Sequence, residues 1–194
     1  MRKNVVGIIL TAVFVLGAAA SIFAQDMEIL GVTFPGEKNI EGKVLKLNGV
    51  SYRKALGIVK VYAVGLYLEE KTNDAEEVIE SEQVKHMFTH YLTSKATAEK
   101  ISEGFVDLIK ECNPPELVEA HQAEIDLFAS WLDKDMAPGL TSYTTYIPGQ
   151  GLILNYQDEV KGTIPGAEFM QMYYRYNVGE NAKKKLREGL LGLE

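Results

Sequence analysis

Arg53 stands in a stretch, Leu47 to Leu68 (LNGVSYRKALGIVKVYAVGLYL), that is otherwise largely apolar and aromatic. Its guanidinium is charged at every ordinary pH and presents a planar fork of donors matched to a carboxylate. In an apolar cleft it would hold the acidic end of a hydrophobic ligand or steady a developing oxyanion. At the surface the same side chain would lay its stem along apolar neighbours and pair with a local acid such as Glu69 or Glu70. Tyr62 carries a phenol able to donate to the same carboxylate, or to a backbone carbonyl if the ring is simply part of the sheet core. Thr89 and Tyr91 alternate onto one face of a later strand and are further candidates to line such a cleft.

The elements that must position these groups follow from spacing. Lys43 to Leu47 and Val50 to Ala55 have strand character and flank Asn48-Gly49, which predicts a two-residue hairpin turn at that dipeptide. Ile58 to Leu68 predicts a longer strand covered on both sides. Period two puts Tyr62, Val64, Leu66 and Leu68 on one face and Val61, Ala63, Gly65 and Tyr67 on the other, the second being small enough to admit a helix or a ligand. Thr72-Asn73-Asp74 offers caps for a short acidic helix ending near Ser81, and Lys85 to Leu92 reads as a strand with Met87, Thr89 and Tyr91 facing away from His86, Phe88 and His90.

Ser94 or Thr97 can cap a helix carrying Ile101, Phe105, Leu108 and Cys112, stopped by Asn113-Pro114-Pro115. A second helix carries Leu117, His121, Ile125, Phe128, Trp131 and Leu132. Strands return at Ser142 to Ile147, Leu152 to Tyr156 and Val160 to Ile164. Pro165 opens a helix through Tyr176 whose tyrosines, Tyr173, Tyr174 and Tyr176, read as core or as gates of a pocket; Gly179 ends it and Asn181 opens a basic closing helix. The pattern predicts an α+β domain in which helices cover one side of a mostly antiparallel sheet.

Arg2 and Lys3 precede an apolar run from Val5 to Phe23, the layout of a signal peptide over residues 1–24, with an uncleaved anchor as the competing reading. Export would place the mature domain, residues 25–194, in the periplasm or outside the cell, with no stable membrane insertion after cleavage. Removing residues 1–24 takes two cations and no acid, leaving 18 basic against 27 acidic residues and a formal charge of −9 in place of −7. So acidic a domain is poorly suited to nucleic acid or to anionic lipid headgroups. The single Cys112 cannot form an internal disulfide and reads as a small buried hydrophobe. His86, His90 and His121 lack metal-site spacing, and no GxSxG, P-loop or GxGxxG is present, so neither a metal nor another cofactor is expected.

The Asn48-Gly49 turn, Arg53 and the strand Val61 to Leu68 (VYAVGLYL) resemble the chalcone isomerase superfamily. The end of the chain agrees: YIPGQGLILNY, GTIPGAEFMQMYYRYNVG and LREGLLG resemble the closing hairpin, helix and terminal Leu-Leu-Gly of the bacterial chalcone isomerase-like proteins. The resemblance implies an open-faced β-sandwich whose ligand cleft lies between sheet and helices, with Arg53 as its cleft arginine. Tyr62 falls where the plant enzymes have an active-site threonine and where fatty-acid-binding relatives commonly have tyrosine. The plant enzymes also use a tyrosine and an asparagine on the helix after the next strand, and Thr97 and Gly104 occupy those positions here. Chalcone cyclisation is therefore not expected.

Two functions remain. One is a non-catalytic carrier for a hydrophobic or amphipathic acid such as a fatty acid, with Arg53, Tyr62, Thr89 and Tyr91 as its binding residues. The other is an isomerase or intramolecular lyase for a phenolic or enone substrate, with Arg53 and Tyr62 in the catalytic roles. A third, weaker reading is a partner-binding module of the cell envelope. The sequence is silent on oligomeric state.

Overall fold

The computed structural model of the protein describes residues 25–55 and 57–194. Residues 1–24, read from the sequence as a signal peptide, therefore fall outside the described residues. Among the described residues no helix is long and apolar enough to cross a membrane.

Seven antiparallel strands form a meander in sequence order: β3 (Glu37–Ile40), β4 (Lys43–Ala55), β5 (Val59–Leu68), β6 (Lys85–Tyr91), β7 (Thr141–Ile147), β8 (Gly151–Tyr156) and β9 (Glu159–Ile164). Two short strands, β1 (Met27–Ile29) and β2 (Val32–Phe34), make a separate hairpin. The helices are α1 (Ala75–Glu80), α2 (Ala98–Cys112), α3 (Pro115–Ala120), α4 (Gln122–Ser130), α5 (Glu168–Val178) and α6 (Lys184–Leu190). They cover one sheet face, as the expected α+β sandwich requires.

The alternation read along β5 and β6 decides which side chains meet the helices. Val64, Leu66, Leu68, Met87 and Tyr91 join one core with Phe105, Phe128 and Tyr173 from the helices. Ala63 and Tyr67 join the other core with Val32, Phe34 and Leu47. The small second face of β5 therefore admits neither helix nor ligand: a Cβ added to Gly65 would sit 2.6 Å from the Phe34 ring, which already occupies that space. The expectation of room on that side is corrected by the β1–β2 hairpin.

Asn48-Gly49 is not a turn. β4 runs unbroken through it, with a bulge between Leu47 and Gly49, and the chain reverses instead between Ala55 and Val59, where Gly57 takes φ 72°. The dipeptide serves α6. Asn48 Nδ2 donates to Leu190 O at 2.8 Å, its Oδ1 accepts from Thr72 N at 2.9 Å, and a Cβ on Gly49 would lie 2.2 Å from Gly189 O. The missing side chain lets the terminal helix lie directly on the strand backbone. Three helix boundaries also differ from expectation. The long central helix divides at His121 (φ −111°, ψ 22°) into α3 and α4, α5 begins at Glu168 and leaves Pro165 outside the helix, and α6 begins after Lys183 rather than Asn181. Asp74 and Thr97 cap α1 and α2 with side-chain bonds to Glu76 N and Lys100 N.

Candidate functional site

Between the sheet and α2 lies a cavity of about 440 Å³, within the range of small-molecule sites, roughly 300–1,000 Å³. Its floor is built from rows of residues paired across neighbouring strands. Arg53, Tyr62 and Tyr91 form one row, Arg53 opposite Tyr62 and Tyr62 opposite Tyr91. Val64, Thr89 and Ser142 form the next, and Met87, Thr144 and Leu154 the one after. Because directly opposed residues share a sheet face, this register alone sets Arg53 beside the Tyr62 ring. The Tyr62 and Tyr91 rings meet edge to face at 5.8 Å.

The roof comes from Lys100, Ile101, Gly104, Phe105 and Leu108 of α2, Phe128 of α4, and Tyr173, Tyr176 and Asn177 of α5. Phe105 stacks on Phe128 at 4.7 Å and meets Tyr176 at 6.0 Å, while Tyr173 and Tyr176 contact at 5.2 Å. Gly104 leaves a gap in this roof, with no atom within 4 Å of where its Cβ would be.

All four residues proposed from the sequence line this cavity. Arg53 is half-buried, and it forms no ion pair with a described acid; Glu69 pairs with Lys43 at 3.1 Å instead. Lys95 and Lys100 also line the cavity and were not singled out in the sequence, where exposed lysines beside a helix start carry no distinguishing mark. The lining thus holds three cations and, among the described residues, no aspartate, glutamate or histidine. Tyr173 and Tyr176, legible equally as core or as gates, belong to the cavity wall, whereas Tyr174 is fully buried core.

Burial raises the Tyr91, Tyr173 and Tyr176 phenols well above the ordinary tyrosine range, the Arg53 charge only partly opposing this at Tyr176. They stay neutral and act as hydrogen-bond donors or acceptors rather than bases. Thr97 is spent on capping α2, its Oγ1 accepting from Lys100 N at 3.4 Å, and Gly104 offers no side chain. The arrangement can hold a negatively charged, largely apolar molecule; it provides no carboxylate or imidazole to move a proton.

A second depression, about 980 Å³, lies among the ends of α1, α2, α5 and α6. It mixes Asp74, Glu76 and Glu180 with Arg175 and Arg187, whose guanidiniums are already engaged by Asn113 Oδ1 at 2.9 Å and Glu180 O at 3.2 Å. His86 and His121 stand apart, the first between Tyr67 and Tyr143, the second 3.3 Å from Glu168.

The sequence model of the chalcone isomerase-like family matches residues 26–192. Among solved structures, the crystal structure of an Arabidopsis thaliana fatty-acid binding protein superposes with a TM-score of 0.66 at 17% identity, over 86% of this chain and 96% of that one. At that identity the likeness concerns the fold. No curated protein matches the chain.

Proposed function

The chain belongs to the chalcone isomerase-like family, and from that premise we propose that it is a non-catalytic carrier for a hydrophobic carboxylate such as a long-chain fatty acid. The observation that carries the reading is the charge of the cleft. In a domain with nine more acids than cations beyond residue 24, the cavity gathers Arg53, Lys95 and Lys100 and no acid among its described lining. Arg53 and Tyr62, side by side on β4 and β5, take the headgroup, with Tyr91 next in the row. Thr89 lies one row deeper, and the tail runs toward Met87, Leu154, Phe128 and Leu132. The fold-level likeness to a fatty-acid binding protein is consistent with this assignment. The isomerase alternative lacks a general base: the lining has neither carboxylate nor imidazole, and its most buried phenols are held neutral. Export of residues 25–194 as the mature domain belongs to the same proposal, and N-terminal sequencing of the protein recovered from cells tests it.

Mass spectrometry of protein purified without added ligand tests the carrier directly, and a long-chain acid is the expected companion. Arg53→Ala removes a charged hydrogen-bond donor worth roughly 1.5–3 kcal/mol, so it lowers affinity about 10- to 150-fold and leaves the fold intact. An empty protein that no member of a fatty-acid panel protects from thermal unfolding would overturn the reading.

A further inference from the structure

The tip of the β4–β5 hairpin is unusual in two respects. Ile58 is 81% exposed, the most exposed large hydrophobic residue described, and its described neighbours at the tip, Ala55 and Gly57, are uncharged. Just below it Lys54 and Lys60 are paired directly across the two strands, both exposed. Like charges in directly opposed positions destabilise a hairpin, and neither lysine forms an ion pair with a described acid; Lys54 rests only near the Tyr52 ring, at 5.4 Å.

The hairpin is also one lip of the cavity. Ala55 and Val59, flanking the tip, line it together with Arg53 below and with Lys95 and Lys100 from the facing α2 side. Three cations thus line the cavity with the flanks of the tip, and two more, Lys54 and Lys60, stand exposed beside the tip without lining the cavity; none of the five is ion-paired with a described acid. Glu99 and Glu103 are exposed on α2 but do not line the cavity.

We propose that this lip is a reversible docking surface for an anionic membrane, the hairpin tip entering the headgroup layer while the surrounding cations meet lipid phosphates. The chemistry suits a bilayer better than a folded partner. Lysine stems can lie along the acyl boundary while their ammonium groups stay at the phosphates, and a single aliphatic protrusion inserts without needing a complementary pocket. The net negative charge of the domain argues against binding over its whole surface, so attraction through this one patch also orients the molecule with its mouth toward the lipid. The docking stands on the hairpin itself. That it delivers an acyl acid from the bilayer rests on the carrier reading.

The experiment places an environment-sensitive fluorophore on the full chain at Ile58→Cys and, as a control, at Val160→Cys, a position 66% exposed on the far edge strand. Cys112 is buried and burial raises its thiol pKa, so it stays unlabelled. A blue shift at position 58 is expected with vesicles containing about a third phosphatidylglycerol, weaker with pure phosphatidylcholine and absent from position 160. Adding Lys60→Glu removes the shift, while it raises Tm by replacing the like-charge pair; each unit of charge change near the surface weakens binding about fivefold. Loss of docking in a better-folded variant is a result that a structural role for Lys60 does not produce. A probe at 58 that stays aqueous, responds equally to neutral vesicles, or ignores Lys60→Glu overturns the proposal and returns the patch to a protein partner. Fatty-acid affinity of the same variants in solution is measured separately. Retained affinity without docking rejects the membrane surface alone, and docking without affinity rejects the carrier alone.

Discussion

Gly104→Leu separates the cavity from the fold, because it should strengthen one and diminish the other. Gly104 lies inside α2, where glycine costs about 0.8 kcal/mol relative to leucine through backbone freedom lost on folding. A Cβ placed there meets no atom within 4 Å, so the new side chain enters the cavity without displacing backbone or core. In a chain of this size the helix gain raises Tm by about 2–3 °C. The isobutyl group takes the place of about three methylenes of tail, each worth ~0.8 kcal/mol on burial, so an acid long enough to fill the cavity loses ~2.4 kcal/mol, or about 50-fold in affinity. Calorimetric titration with straight-chain acids from octanoate to stearate reads this out. Wild-type affinity climbs about fourfold per methylene until the tail reaches the end of the cavity, and in the variant the plateau arrives about three methylenes earlier. Short acids, whose tails stop before Gly104, bind as before. A variant that is more stable yet binds stearate as tightly as wild type would show that the tail lies elsewhere, and the cavity assignment would fail with it.

Two further perturbations address the frame around the site. Gly49→Ala drives a Cβ to 2.2 Å from Gly189 O and 2.7 Å from Leu190 O, both backbone atoms that cannot rotate aside. A loss of ~3 kcal/mol and a Tm drop of roughly 10 °C are expected, with limited proteolysis releasing the terminal segment first; a neutral substitution would refute the close docking of α6. The His86 imidazole is buried against Tyr67 and Tyr143, and burial, reinforced by the Lys38 charge, pushes it down to about 3 from an ordinary 6.5. As pH falls below about 6.5 the unfolded chain takes up the proton first, so stability decreases with falling pH through the window down to about 3 and gains nothing from this group above it. The cost is ~3 kcal/mol by about pH 4. Urea unfolding across that range should show the slope, shallower in His86→Gln, and a flat wild-type curve would contradict the buried neutral ring.

What could be read from the sequence was what nearest neighbours in the chain decide. Period two separates the faces of β5 and β6 and groups Thr89 with Tyr91, and Thr97 reads as a cap because its oxygen can meet Lys100 N; which face meets the helices, and that Arg53 lies opposite Tyr62, follows only from the pairing of β4 with β5. Asn48-Gly49 failed because turn preference is local, whereas its partner Leu190 lies 142 residues away. The strands β1 to β3 are only three or four residues long and too short to show a period, which is why the cover over Gly65 went unseen. Tyr173 and Tyr176 fall on the inner side of a helix whether they fill a core or line a hole, and spacing cannot distinguish the two.

Net charge and the charge around one opening are different quantities. A formal charge of −9 beyond residue 24 is a sum over the surface, whereas a ligand meets only the groups around the opening it enters. Arg53 comes from a strand, Lys95 from the turn before α2 and Lys100 from the first turn of α2, so no run of basic residues announces them. The fold gathers them on one cavity, where Arg53, half-buried beside apolar walls that include Val64, Met87 and Phe128, is screened less than at an open surface, while Lys95 and Lys100 stay exposed to water. Glu99 and Glu103, exposed on α2 near Lys100, offset part of the field of these cations, whereas acids farther away than a Debye length of ~8 Å at physiological salt oppose it only weakly. An acidic protein can in this way present a cationic mouth. Its affinity for anionic acyl chains should therefore fall with added salt, although the net charge by itself predicts repulsion that salt would relieve.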